Sequence, residues 1–393
     1  MPASRARILA LALGVGLSGL VIAIAWLARA GSRAADRERL LRTERLLAER
    51  AAQGSAPPVR DPAQAGRAYA APDLWPWHLT EELASSLFFQ RGSTETYDPW
   101  SYFRHRGSLQ RRIEWLEHPR GAWTWRTNAQ GLREDADVDP AFAGRRVIVT
   151  GDSHTEGFCD NVESLAGRLE SLLAAEGGEV DVLNAANGGF SFFHYAGVLE
   201  RFLHLRPEAF VVVVFGGNDF LEAAVPAAYF RGETLPMPGP EEIEELRAWH
   251  GTFGPGLTQS FHSLDFFRRR PEQVEACLRA AGERTLSIRD RCAAAGVRLL
   301  VLYLPPPCDA GWREQAVRFD ELARALRLAP ADRQVVERLA DRYLEVLREA
   351  GIEAVDLRPR LREGPGPWYW ERDHHLNLAG HDALARIVHE RLR

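Results

Sequence analysis

The chain has 393 residues, enough for one large catalytic domain with accessory segments. Its apolar content of 46% suits a globular core and excludes global disorder. The formal charge of −5 comes without a block of like charge, so neither a nucleic acid nor a strongly charged protein is implied as partner. All 49 basic residues are arginine, which reads as compositional bias and not as a functional signal.

Ile8–Ala28 carries no charge. About 21 residues at 1.5 Å each span a bilayer core of about 30 Å. Ala28-Arg29-Ala30 resembles a small-x-small cleavage site, but the apolar part of a signal peptide usually runs about 7–15 residues. Residues 1–30 are therefore expected to be an uncleaved, single-pass membrane anchor. Arg33, Arg37, Arg39 and Arg42 just beyond it weaken a charge-based orientation, interleaved as they are with Asp36, Glu38 and Glu44. Within 31–72, a charged helix with Leu40, Leu41, Leu46 and Leu47 on one side runs into a linker rich in Pro, Ala and Gly.

Residues 73–144 form a Trp-rich accessory segment holding Trp75, Trp77, Trp100, Trp115, Trp123 and Trp125. Trp123 to Thr127 alternates like a strand, and Gly131 marks a turn. Such rings can stack on sugars, but packing a small β layer onto the main domain is the plainer expectation.

From Arg145 the pattern is strand, helix, strand, helix. Strands are expected at 147–149, 180–183, 209–215, 297–304 and 352–355. Apolar strands alternating with helices predict a three-layer α/β/α domain over 145–393, with a mostly parallel five-stranded sheet. Between the third and fourth strands, 221–270 reads as an irregular insertion rich in Gly and Pro, a candidate lid. Cys159, Cys277, Cys292 and Cys308 make no CxxC pair and fit no zinc spacing. Two disulfides are open to them in an oxidising compartment, and a buried free thiol is the plainer reading of Cys292.

Ligands of open α/β sheets bind beyond the carboxyl ends of the strands. Those ends carry Gly151-Asp152-Ser153-His154, then Asn184 to Gly189, then Gly216-Gly217-Asn218-Asp219. Asp373-His374-His375-Leu376-Asn377 precedes a final helix. A serine hydroxyl needs a neighbouring base to become a nucleophile, and acyl transfer needs donors aimed at the developing oxyanion.

This set resembles the SGNH, or GDSL-like, hydrolase family from about Arg145 to the C-terminus. That family's four blocks are a GDS box, a glycine after the second strand, a GxND box and a C-terminal histidine with a nearby acid. Arg126-Thr127-Asn128 and Gly131-Leu132-Arg133 are similar to a lead-in of membrane-anchored bacterial members. The resemblance implies Ser153 as nucleophile, with the Ser153 and Gly189 backbone N–H groups and the Asn218 side chain as oxyanion hole. For the base two registers are open. The family's usual three-residue spacing pairs Glu371 with His374. The ending His375-Leu376-Asn377 favours His375 with Asp373, a spacing that resembles the alginate O-acetylation branch, and this register is preferred.

Asp152 and Asp219 are expected to hold loops by accepting backbone hydrogen bonds. His194, His204 and His381 are expected to be structural, and no metal or other cofactor is implied. The expected function is a serine esterase forming an acyl-enzyme on an acylated carbohydrate, lipid or small molecule. The expected location is a bacterial inner membrane, with the catalytic domain periplasmic or extracytoplasmic. The alternatives are a polysaccharide O-acetyltransferase using the same triad and a non-catalytic membrane scaffold.

Overall fold

The computed structural model describes residues 79–88, 94–253, 261–310 and 313–393. The expected anchor, charged helix and linker lie outside them. Among the described residues, no helix is long and apolar enough to cross a membrane.

Helix α1 (Glu81–Leu87) leads into two antiparallel hairpins, β1 (Glu95–Asp98) with β2 (Tyr102–His105) and β3 (Gln110–Glu114) with β4 (Ala122–Arg126). The main sheet follows: β5 (Arg145–Thr150), β6 (Val180–Asn184), β7 (Ala209–Phe215), β8 (Arg298–Leu304) and β9 (Glu353–Asp356). Its order is β6-β5-β7-β8-β9. Every neighbouring pair is parallel, so the sheet is wholly and not just mostly parallel. Every residue of β7 is buried, as a central strand covered on both faces requires.

The helices are α2 (Ser153–Glu156), α3 (Leu165–Ala174), α4 (Phe192–Phe202), α5 (Asp219–Glu222) and α6 (Ala224–Arg231), then α7 (Pro240–Phe253), α8 (His262–Arg269) and α9 (Gln273–Ala295). After β8 come α10 (Arg313–Ala325), α11 (Pro330–Arg333), α12 (Val335–Glu349), α13 (Arg358–Glu363) and α14 (Leu378–Leu392). One core joins Val147, Val149, Val211, Val213, Leu300 and Leu302 of the sheet to Leu165 and Leu169 of α3 and to Leu384 and Val388 of α14. Because crossovers are right-handed, reversing direction after β6 sends α4, α9 and α12 to the opposite face. The reversal leaves a crevice between the carboxyl ends of β5 and β7.

The stretch 221–270 is largely helical where described, not irregular. Its prolines sit where a helix tolerates them: Pro240 opens α7, and Pro226 lies in the first turn of α6. Gly232, at φ +70°, ends α6 in the left-handed conformation and is a helix stop. The four cysteines are free thiols. Burial pushes those of Cys159, Cys277 and Cys292 up to about 12.

The hairpins use their aromatic rings for packing. Phe103 of β2 meets Phe190 edge-on at 5.2 Å, and Phe88 stacks on Tyr102 at 4.5 Å. Trp123 and Trp125 are buried, while Trp100 stays partly exposed.

Candidate active site

Ser153 follows β5 directly, as the first residue of α2. The N-cap is Asp152, whose carboxylate accepts the His154 N–H at 2.9 Å. Gly151 is needed for a close approach: a Cβ there would stand 2.1 Å from Thr155 Oγ1 and 2.9 Å from the Val213 carbonyl oxygen.

The C-terminal loop delivers the histidines. His375 Nε2 lies 2.8 Å from Ser153 Oγ. Its Nδ1 pairs closely with Asp373 Oδ1, and its backbone N–H donates to the same oxygen at 2.8 Å. An acid on Nδ1 holds the proton there and leaves Nε2 free to accept one from serine. Burial raises the Asp373 carboxyl, but His375, through charge and hydrogen bonds, outweighs it and holds the group well below the usual carboxylate range. Both histidines and Ser153 are buried.

In the other register, His374 Nδ1 lies 3.8 Å from Asp373 Oδ1 and makes no hydrogen bond. Glu371 is exposed, and its backbone N–H donates to Glu117. Burial, followed by the neighbouring His375, pushes His374 well below the ordinary histidine range.

The loops after β6 and β7 leave the same edge of the sheet as Ser153. Asn187 to Phe190 form a tight turn closed by Phe190 N–H to the Asn187 carbonyl at 3.0 Å. Gly189 is its third residue, at φ +86°, a conformation that side chains resist. Asn218 caps α5, and its Nδ2 donates to Glu222 Oε1 at 2.9 Å. An amide nitrogen carries two hydrogens, so one remains for a ligand. Asp219 does hold its loop, accepting the Phe215 N–H at 2.9 Å and the Tyr195 hydroxyl at 2.6 Å.

Three further residues support these loops. Glu156, almost wholly buried, accepts the Gly188 N–H at 2.7 Å and Trp125 Nε1–H at 2.8 Å. Arg133, fully buried, donates to the carbonyls of Glu156, Gly157 and Cys159, and its guanidinium lies 3.8 Å from Glu156 Oε1. Phe158 stacks on the His375 ring at 4.0 Å and is itself packed by Trp115 and Trp123. Only Arg133 left a trace in the sequence, as part of the Gly131-Leu132-Arg133 lead-in. Glu156 and Phe158 touch partners distant in the chain and carry no local signature.

His194 and His381 each accept a backbone N–H on Nδ1, from Ser191 and Leu165, consistent with structural roles. His154 directly follows Ser153 in the chain. Its ring packs 3.6 Å from that of Phe215, and neither ring nitrogen has a hydrogen-bond partner. Burial, then His375 and His374, push it well below the ordinary histidine range.

The chain matches the model of the GDSL-like Lipase/Acylhydrolase family over residues 149–383, more than half its length. No curated protein is significantly similar to it. Among solved structures, TesA is 18% identical, with 63% of this chain and 98% of that one covered and a TM-score of 0.36. The acetyl xylan esterase AlAXEase is 15% identical over 63% of this chain and 100% of that one, TM-score 0.37. A catalytic mutant of Axe2, an acetylxylan esterase from Geobacillus stearothermophilus, is 14% identical over 62% and 92%, TM-score 0.38. By its family match the chain belongs to the GDSL-like lipases and acylhydrolases, and it is a serine hydrolase acting on esters.

Proposed function

We propose that this hydrolase cleaves an acylated carbohydrate or lipid through an acyl-enzyme on Ser153. One observation carries the proposal: the hydrogen-bonded line from Ser153 Oγ through His375 to Asp373. His375 takes the serine proton as Oγ attacks the ester carbonyl, and returns it to the leaving alcohol. Water, deprotonated by the same imidazole, then releases the acyl group. The backbone N–H groups of Ser153 and Gly189 and the Asn218 amide receive the oxyanion, each worth on the order of 3 kcal/mol in the transition state. Residues 8–28 anchor the chain in a bacterial inner membrane with the hydrolase outside, supported by the uncharged run of bilayer-spanning length.

The test is a panel of short-chain p-nitrophenyl esters and acetylated glycans with the full chain, with and without a sugar acceptor. Hydrolysis and labelling by a fluorophosphonate are expected, both abolished in Ser153→Ala. Esterase activity retained by pure Ser153→Ala overturns the nucleophile, and acyl transfer that outruns hydrolysis when acceptor is added overturns the hydrolytic reading. Release from membranes by a salt wash overturns the anchor, because salt screens charge but not apolar burial.

A further inference from the structure

Three buried imidazoles meet at this site: His154, His374 and His375. Their ring centroids lie 5.1 Å apart for His154 and His374, 4.8 Å for His154 and His375, and 4.0 Å for His374 and His375. One nitrogen from each falls within 4.8 Å of those of the other two. A proton relay explains His375 but neither of the others. A buried imidazole always has an N–H or lone pair to satisfy, and the nitrogens of His154 and Nδ1 of His374 make no hydrogen bond.

We infer that His154, His374 and His375 form a binding site for a divalent transition-metal ion of the Zn²⁺ type, and that the ion reversibly blocks the enzyme. Zinc binds imidazole nitrogen at about 2.0–2.1 Å in tetrahedral geometry, which puts two ligating nitrogens roughly 3.4 Å apart. The three nitrogens lie within 4.8 Å of one another, so each pair has to close by at most about 1.4 Å to reach that spacing.

Asp373 on His375 Nδ1 supplies what a ligating histidine needs: a carboxylate on the far nitrogen that fixes the tautomer and the orientation of the ring. The device that prepares His375 to accept a proton therefore also prepares it to accept a metal. Ser153 Oγ, 2.8 Å from Nε2, is the natural fourth ligand. Imidazole binds as the neutral ring. An ion on Nε2 occupies the lone pair that would take the serine proton, so turnover stops until the metal leaves.

Metal binding stands on the three rings alone; the block rests on His375 being the base. The experiment separates the two. The full-length unmutated chain, stripped with a chelator, is titrated with Co²⁺ and followed by its visible absorption, which is intense for tetrahedral coordination. Zn²⁺ inhibition of p-nitrophenyl ester hydrolysis, and its reversal by a chelator, are measured on the unmutated chain.

A stoichiometric tetrahedral spectrum is expected, displaced by Zn²⁺. His374→Ala should weaken metal binding by at least about 10–100-fold and shift the Zn²⁺ concentration for half-inhibition by the same factor, while activity without metal persists. His154→Gln should do likewise if it folds, and His374→Ala carries the test if it does not. No tetrahedral spectrum, or one unchanged in His374→Ala, overturns the site. A spectrum lost in His250→Ala instead moves the metal to the neighbouring pair His250 and His262, whose Nε2 atoms lie 3.1 Å apart, and also overturns it. Metal binding at the three rings without inhibition overturns the block and the assignment of His375 as base.

Discussion

Glu156→Gln tests whether the turn bearing Gly189 is held in place from behind. In the native chain the two carboxylate oxygens serve two donors, the Gly188 N–H at 2.7 Å and the Trp125 indole at 2.8 Å, and face the Arg133 guanidinium. Glutamine keeps one oxygen and turns an NH₂ toward the other donor, so one of the two buried hydrogen bonds must fail. A charge-assisted bond is worth about 1.5–3 kcal/mol, and removing one member of a buried ion pair costs about 3–5 kcal/mol. Arg133 keeps its carbonyl acceptors and Asn161 Oδ1, which offset part of the loss. A destabilisation of about 2–4 kcal/mol is expected, read as a fall in Tm of roughly 3–6 °C. Full loss of an oxyanion donor costs about 10²–10³ in kcat. A displaced turn should therefore lower kcat by about 10–100-fold with little change in KM, measured on a p-nitrophenyl ester well below the variant's Tm. A lowered Tm with unmutated kcat would show that Glu156 braces the fold without positioning the donor. An unchanged Tm would refute the physical argument altogether.

His375→Ala should cost as much activity as Ser153→Ala, on the order of 10⁴–10⁶ in kcat, and the double variant little more. Asp373→Asn should lower kcat by about 10⁴, against under about 10-fold for Glu371→Gln; essential Glu371 with dispensable Asp373 would show the other register. Gly189→Ala forces a side chain into φ +86°; it should destabilise by about 1–2 kcal/mol and lower kcat, and an unaffected kcat would remove Gly189 from the oxyanion hole. Burial, chiefly, pushes His381 down to about 3. Between that value and an unfolded pKa of about 6.5 the unfolded chain binds the extra proton, so stability falls as pH drops, by about 2 kcal/mol from pH 7 to pH 5. His381→Asn, which keeps an acceptor for Leu165 N–H, should flatten that dependence in denaturant titrations at the two pH values, and an unchanged slope would contradict it.

The sheet was legible in the sequence because its strands are buried on both faces and so appear as unbroken apolar runs, Ala209 to Phe215 above all. The loops that meet at the site were legible for a related reason. Parallel strands end on one edge, so polar and glycine-rich residues just after each strand share a place in space before any coordinate is known. The 221–270 stretch misled because prolines and glycines were counted without their positions; Pro226, Pro240 and Gly232 delimit helices there and do not break them. Adjacent histidines are the hardest case. Both rings turn into the same site, and only the geometry shows that Nδ1 of His375, and not of His374, closes on Asp373.

The illegible part of the site is the part made by contacts between the accessory segment and the loops. Glu156 and Phe158 lie just after the GDS box, where sequence offers a short helix and a hydrophobic residue and nothing more. Their roles come from Trp125, Trp115 and Trp123, which arrive on the β3–β4 hairpin that precedes the sheet in the chain. Arg133 does the same from the segment between β4 and β5, tying the loop carbonyls of Glu156, Gly157 and Cys159 to one guanidinium. Such a hub needs a partner for every donor, because an unpaired buried guanidinium would cost more than its hydrogen bonds return. Residue 145 is thus where the parallel sheet starts but not where the candidate site starts. The ring stacked on His375 and the carboxylate behind the Gly189 turn are both set by residues of the Trp-rich segment, which makes that segment part of the proposed site and not an appendage to it.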